Sequence, residues 1–206
     1  MGLKVHSLGV LPANSERDYY VYLLDYGWDE PLGRALFENF NKMADLASKD
    51  NAIVIAGTHG SEFNDEVLSW HRVNGQNADE LLPAVLITTR HPSLFRERWE
   101  KRREDNSHQH WEPGEKDGLL LIPLRTCCNN ATEVAELIAG IFHNMREKKA
   151  LPDFRIAQEL SAGRNHALVD AIILEPNFAG IGIDLKKIAA FFNQVGQKWT
   201  SKSDPN

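Results

Sequence analysis

Between an apolar run, Tyr20 to Leu24, and a stretch from Leu32 to Ala47, the chain reads Trp28-Asp29-Glu30-Pro31-Leu32. This junction constrains the fold more than any other segment. The run before it is aromatic and β-branched enough for a buried strand. After it, Leu32, Ala35, Leu36, Phe40, Met43 and Ala47 recur at helical spacing, and Pro31 suits the first helical turn, where its missing N–H costs nothing. A strand therefore feeds straight into a helix, and the pattern repeats. Ala52-Ile53-Val54-Ile55-Ala56 predicts a second strand, and Glu62 to about Val73 a second helix. The run Leu82-Pro83-Ala84-Val85-Leu86-Ile87 and the run Leu119-Leu120-Leu121-Ile122 predict two more strands, and Val134, Leu137, Ile138, Ile141 and Met145 mark a closing helix.

The order strand, helix, strand, helix, strand, strand, helix over roughly residues 19 to 149 resembles the thioredoxin-like superfamily. Trp28-Asp29-Glu30-Pro31-Leu32 sits where a thioredoxin carries Trp-Cys-Gly-Pro-Cys, so the chain resembles a degenerate member without the active-site cysteine pair. The resemblance implies an α/β fold: a thioredoxin-like three-layer sandwich with a mixed central sheet. It also implies a cis peptide before Pro83, facing Trp28 and Asp29, and an antiparallel hairpin of residues 84–88 with 119–122. Ordinary disulfide exchange needs an attacking and a resolving cysteine, which Asp29 and Leu32 replace. What the resemblance leaves is a groove beside Trp28 and Pro83, where a backbone edge next to the proline accepts an extended peptide. Asp29 and Glu30 would select a basic or hydroxyl-bearing segment.

Other chemistries are excluded or demoted by composition. A 206-residue chain with 42% apolar and 25% charged residues is ordinary for a globular protein. It has no apolar run of bilayer length and no basic-then-apolar leader, so it is expected to be cytoplasmic and not membrane-bound. A net charge of -6 argues against general nucleic-acid affinity, which needs clustered Lys and Arg. No phosphate-cradling glycine loop and no Gly-x-Ser-x-Gly elbow is present, so no cofactor is expected.

The thiols and histidines supply the enzymatic alternatives. Cys127 and Cys128 are the only cysteines and are adjacent, so a stapled secreted scaffold is not expected. They precede a helix expected to start at Asn130, with Glu133 three positions on as a capping box, and a helix N-terminus makes a thiol more reactive. Small buried fillers are the plainer reading. His59, Ser61 and Glu62 stand on a strand-to-helix turn, where a His beside carboxylates can act as a base; a helix cap at Ser61 is simpler. His108 and His110 lack further ligands nearby, and no metal is expected.

From Arg90 to Gly118 the composition turns charged, with six basic against three acidic residues between Arg90 and Glu104. Arg96, Arg98, Arg102 and Arg103 make this segment a candidate docking site for a phosphate or an acidic partner, against the plainer reading of a solvated helix face. The organisation expected is a core of residues 1–150, with this 90–118 insertion between the hairpin strands, followed by a 151–206 extension packed on the core or on a partner subunit. Phe178, Ile181, Ile183, Leu185, Ile188, Phe191 and Phe192 crowd the extension with apolar surface and point to a homo-oligomer or a partner contact. The leading reading is a non-redox binding or adaptor module for a protein or peptide partner. The alternatives are an enzyme using Cys127, Cys128 or the His59 and Glu62 cluster, or a small-ligand or nucleotide sensor using the basic segment.

Overall fold

The computed structural model describes residues 1–12, 16–27, 30–71, 73–74, 81–97, 119–162, 173–174 and 183–184. Its centre is a mixed sheet. Strand β1 (Gly2–Val5) and strand β2 (Tyr19–Leu24) both pair in parallel with β3 (Ala52–Gly57). Between β2 and β3 the chain forms α1 (Pro31–Glu38) and α2 (Phe40–Lys49); after β3 come α3 (Gly60–Trp70) and the two-residue β4 (Val73–Asn74). Strand β5 (Ala84–Thr88) lies antiparallel to β2, and β6 (Leu119–Pro123) antiparallel to β5. One turn, α4 (Leu124–Cys127), leads to α5 (Ala131–Arg146), a 3-10 turn at Leu151–Asp153 and α6 (Arg155–Ala162). Strand β7 (Ile173–Leu174) adds to β6, giving the order β1-β3-β2-β5-β6-β7, while β8 (Ile183–Asp184) pairs with β4.

Strand periodicity sorts the core into two layers. Along β2, Tyr19, Val21 and Leu23 point to one face of the sheet and Tyr20, Tyr22 and Leu24 to the other, as two-residue alternation requires. The first face is closed by Leu36, Met43, Val134, Ile138 and Phe142 from α1, α2 and α5, and by Phe154 between the 3-10 turn and α6. The second is closed by Phe63, Val67 and Leu68 of α3, with Leu8 and Leu11 in and just after an N-terminal 3-10 turn (Leu8–Val10), and Phe95. Strands buried on both sides are therefore continuous apolar runs, which is how they read in the sequence.

The elements differ from expectation in a few places. The stretch from Leu32 to Ala47 is two helices that meet at Asn39, whose backbone (φ -83°, ψ 0°) leaves the helical region and whose side chain adds a second donor, at 2.8 Å, to the Ala35 carbonyl that its own N–H already reaches at 3.3 Å. The expected element order began at residue 19 and missed β1, a short edge strand with one buried residue, Val5. The peptide before Pro83 is cis, and β5 and β6 are antiparallel. The apolar residues from Phe178 to Phe192 that suggested an interface lie outside the described residues, apart from the backbone of Ile183. Among the described residues, no helix is long and apolar enough to cross a membrane.

Candidate functional site

The end of the sheet where β2 gives way to α1 collects the polar side chains. Leu24 pairs with Ala84, so Asp25 leaves the strand beside Pro83, and the Pro83 carbonyl accepts the Leu124 N–H at 2.9 Å where α4 begins. From α4, the Arg125 guanidinium reaches back to Glu30, the N-cap residue of α1, with Nε donating to Oε2 at 3.1 Å and Nη2 to Oε1. This bidentate clasp ties the start of α1 to the end of β6 across 95 positions of sequence.

Asp25 is enclosed from two sides. A Cβ on Gly33, in the first turn of α1, would lie 2.5 Å from Asp25 Oδ2, and one on Gly60, the first residue of α3, would lie 2.6 Å from the Asp25 carbonyl oxygen. Only glycines allow α1 and α3 to close so far on this residue. Burial raises the Asp25 carboxyl above the usual carboxylate range and Glu30 adds to the rise; N–H groups of Gly27 and Tyr26 and the Arg125 charge work against it. The result is a half-buried carboxyl beside an accessible ion pair. Such a pair of environments can hold a cationic or hydroxyl group, and a carboxyl of raised pKa can also move a proton.

The residues singled out from sequence fall into separate places. Glu30 and Pro83 are at this sheet end; Trp28 and Asp29 lie outside the described residues. Glu30 is engaged with Arg125, so a partner at this end meets an ion pair and not a lone carboxylate. Leu82 and Pro83 are buried, so among the described residues the surface at this end is offered by Gly27, Glu30, Pro31 and Arg125 and not by the proline itself. His59 is the N-cap residue of α3, displacing Ser61 from that role, and caps through its backbone only. The His59 Nδ1 lies 3.3 Å from Thr58 Oγ1, and no hydrogen bond joins it to Glu62 among the described residues. Glu66 of the same helix accepts from Ser7 Oγ at 2.8 Å and from the Leu8 N–H at 2.7 Å, which pins the N-terminal 3-10 turn. Arg96 stands with its guanidinium 5.9 Å from the centre of the Trp70 ring, a cation–π contact. Arg98, Arg102, Arg103, His108 and His110 lie outside the described residues. Among the described residues, no cluster of three His, Cys, Asp or Glu side chains is placed to hold a metal.

The thiols lie where β6 leads into α5. Asn130 caps α5 and accepts from the Glu133 N–H at 3.0 Å as the spacing indicated, while the Glu133 carboxylate reaches one residue further back than a capping box requires and accepts from the Asn129 N–H at 2.8 Å. The helix nevertheless does not activate Cys128. Burial pushes that thiol up to about 11, and the Glu133 carboxylate adds to the shift, so desolvation and a like charge outweigh the helix dipole. Cys127 is half-buried against the core. Iodoacetamide at pH 7.5 is expected to place its first adduct on Cys127 and to reach Cys128 only after unfolding, as read by peptide mass spectrometry. A first adduct on Cys128 contradicts the shift.

Asp25 and Arg125 were not recognised in the sequence. Asp25 carried a signal, being the first charge after six residues of buried strand; Arg125 carried none, since its partner is set by the hairpin. No family model, no curated protein and no solved structure matches the chain.

Proposed function

We propose that the protein is a non-redox, thioredoxin-like binding module that takes an extended segment of a protein partner at the sheet end formed by Asp25, Glu30, Pro83 and Arg125. The observation that carries this reading is the Glu30–Arg125 clasp beside the half-buried Asp25 carboxyl, a polar site built from three chain segments at the end of the sheet. Strand order, the antiparallel β5–β6 pair and the cis peptide before Pro83 support the thioredoxin-like part of it. The absence of any cysteine between Asp25 and Leu32 and the high pKa of Cys128 support the non-redox part. Asp25 supplies an acceptor, or a donor when protonated, and the clasp presents donor and acceptor together, a combination suited to a hydroxyl-bearing or basic residue within an extended strand.

A cellulose-bound array of extended octapeptides, followed by fluorescence polarisation, tests it. Peptides rich in Ser, Thr, Lys or Arg are expected to bind with micromolar Kd, and Asp25→Asn and Arg125→Glu to weaken binding by about tenfold, or about 1.4 kcal/mol, with the melting temperature kept. Insulin reduction by dithiothreitol should proceed no faster with the protein than without it. Absence of saturable binding, or equal binding by both variants, removes the site; accelerated insulin reduction that disappears in Cys127→Ser transfers the activity to the thiol.

A further inference from the structure

A groove away from the sheet end runs between α5 and α6, and its floor is apolar: Leu137, Gly140 and Ile141 from α5, Ile156 from α6. Its volume is about 220 Å³. Cavities of about 150 Å³ take a single benzene, and drug-sized pockets run from about 300 Å³ upward, so this one has room for one long side chain and not for a helix. Glycine in the middle of a helix is unfavourable by roughly 0.5–1 kcal/mol relative to alanine. Gly140 stands in the tenth position of the sixteen-residue α5, and a Cβ there would meet nothing within 4 Å. Packing therefore does not require this glycine; what it does is keep the floor of the groove open.

The rim gives the sign of the occupant. Among the described residues Glu133, Glu136 and Glu159 line the groove with a single cation, Arg155, whose Nε donates to Glu159 Oε1 at 2.6 Å; Glu133 is held by Asn129 and Asn130 in the cap of α5, so Glu136 and Glu159 face an occupant. Glu136 is exposed and makes no ion pair among the described residues. An apolar floor under a net negative rim matches the amphipathic side chains of lysine and arginine, whose methylene stems lie on apolar surface while the charged head meets carboxylates. The overall charge of -6 draws basic segments toward the protein before contact.

We infer that the groove between α5 and α6 receives one lysine or arginine side chain presented by a basic segment of a partner protein. This surface is distinct from the sheet end at Asp25 and Arg125, and it does not depend on that reading. Cys127 lines the groove, so an occupant shields its thiol.

The test uses the full chain, isotope-labelled, titrated with a capped octapeptide of alternating lysine and alanine and with its glutamate and norleucine counterparts. Saturable amide shifts are expected at Leu137, Gly140 and Ile156, with binding at least about tenfold weaker for both counterparts. Gly140→Leu, at a position where a Cβ meets nothing within 4 Å, puts an apolar side chain into the groove and is expected to abolish the shifts at Leu137 and Ile156 while the melting temperature holds or rises. Glu136→Lys combined with Glu159→Lys makes the same case without touching the floor, again with about a tenfold loss. Alkylation of Cys127 should slow in the presence of the lysine peptide. Four results overturn the inference: shifts spread evenly over the acidic surface, undiminished binding by the folded Gly140→Leu or the double Lys variant, binding of cadaverine as tight as that of the peptide, and a doubled mass with the groove shifts already present in the free protein.

Discussion

Folding stability is expected to fall by roughly 3 kcal/mol between pH 6.5 and pH 4 through one side chain, His71. This residue closes α3 and is 1% exposed. Its ring lies 5.0 Å from the centre of Tyr22 and 4.4 Å from that of Phe95. Nδ1 bonds the Val67 carbonyl at 2.8 Å and so carries the proton of the neutral ring; Nε2 is buried with no partner among the described residues. Adding a proton would place a charge and an unmatched donor in an apolar layer, and burial holds the pKa down to about 4 from an ordinary 6.5, with the Val67 bond opposing.

The sign follows from proton uptake. Above pH 6.5 both folded and unfolded states are neutral at this site and it contributes no pH dependence. Between 6.5 and 4 the unfolded chain takes up the proton and the folded chain does not, so stability drops by about 1.4 kcal/mol per pH unit until the folded ring also titrates. Carboxylates titrate in the lower part of this window, so the informative quantity is a difference. Urea denaturation of the parent and of His71→Phe at pH 7, 5.5 and 4.5 should show the variant gaining steadily on the parent as pH falls. Parallel curves would mean that His71 protonates without hindrance in the folded state. Tyr22, whose hydroxyl is likewise buried without a partner among the described residues, has its pKa raised by the same burial and stays neutral throughout.

Much of the fold was legible because its strands are buried on both faces. Tyr20 to Leu24, Ala52 to Ala56 and Leu119 to Ile122 are apolar at every position, and such runs, bounded by Asp, Gly and Pro, admit few alternatives to an interior strand. Strand β1 was illegible for the opposite reason: Lys4 is exposed and only Val5 is buried, as at a sheet edge. The helix break at Asn39 turns on the backbone of one residue, held between the helical and extended regions, which no periodicity registers. The candidate site was half legible. Glu30 and Pro83 were found from their place at element boundaries, whereas their environment depends on long-range contacts. The Glu30 carboxylate is read differently once Arg125 is beside it, and the Cys128 thiol once its burial is known.

The two glycines around Asp25 look alike in sequence, each in the first turn of a helix, yet alanine at each should have opposite consequences. At Gly60 the added methyl would stand 2.6 Å from the Asp25 carbonyl oxygen, inside the roughly 3.0 Å that real Cβ atoms keep. That oxygen belongs to main chain directly following β2, which is held by ladders to β3 on one side and β5 on the other, so relief requires α3 to move. Overpacking of this kind costs about 1–3 kcal/mol, and Gly60→Ala is expected to lose about 2 kcal/mol, since helix propensity gains little at the first helical residue. At Gly33 the methyl would stand 2.5 Å from Oδ2, the end of a side chain that can turn away. There the helical gain of up to about 1 kcal/mol offsets the loss of the Gly27 and Tyr26 N–H contacts to the carboxylate. Gly33→Ala should therefore keep the stability of the parent within about 0.5 kcal/mol while Asp25, turned toward water, titrates lower than in the parent. Urea denaturation of both variants, with carbon NMR titration of the Asp25 carboxyl, separates the two outcomes. Equal losses of stability at both positions would mean that the Asp25 side chain is as immovable as its backbone, and an unchanged Asp25 titration in Gly33→Ala would mean that α1 had yielded instead.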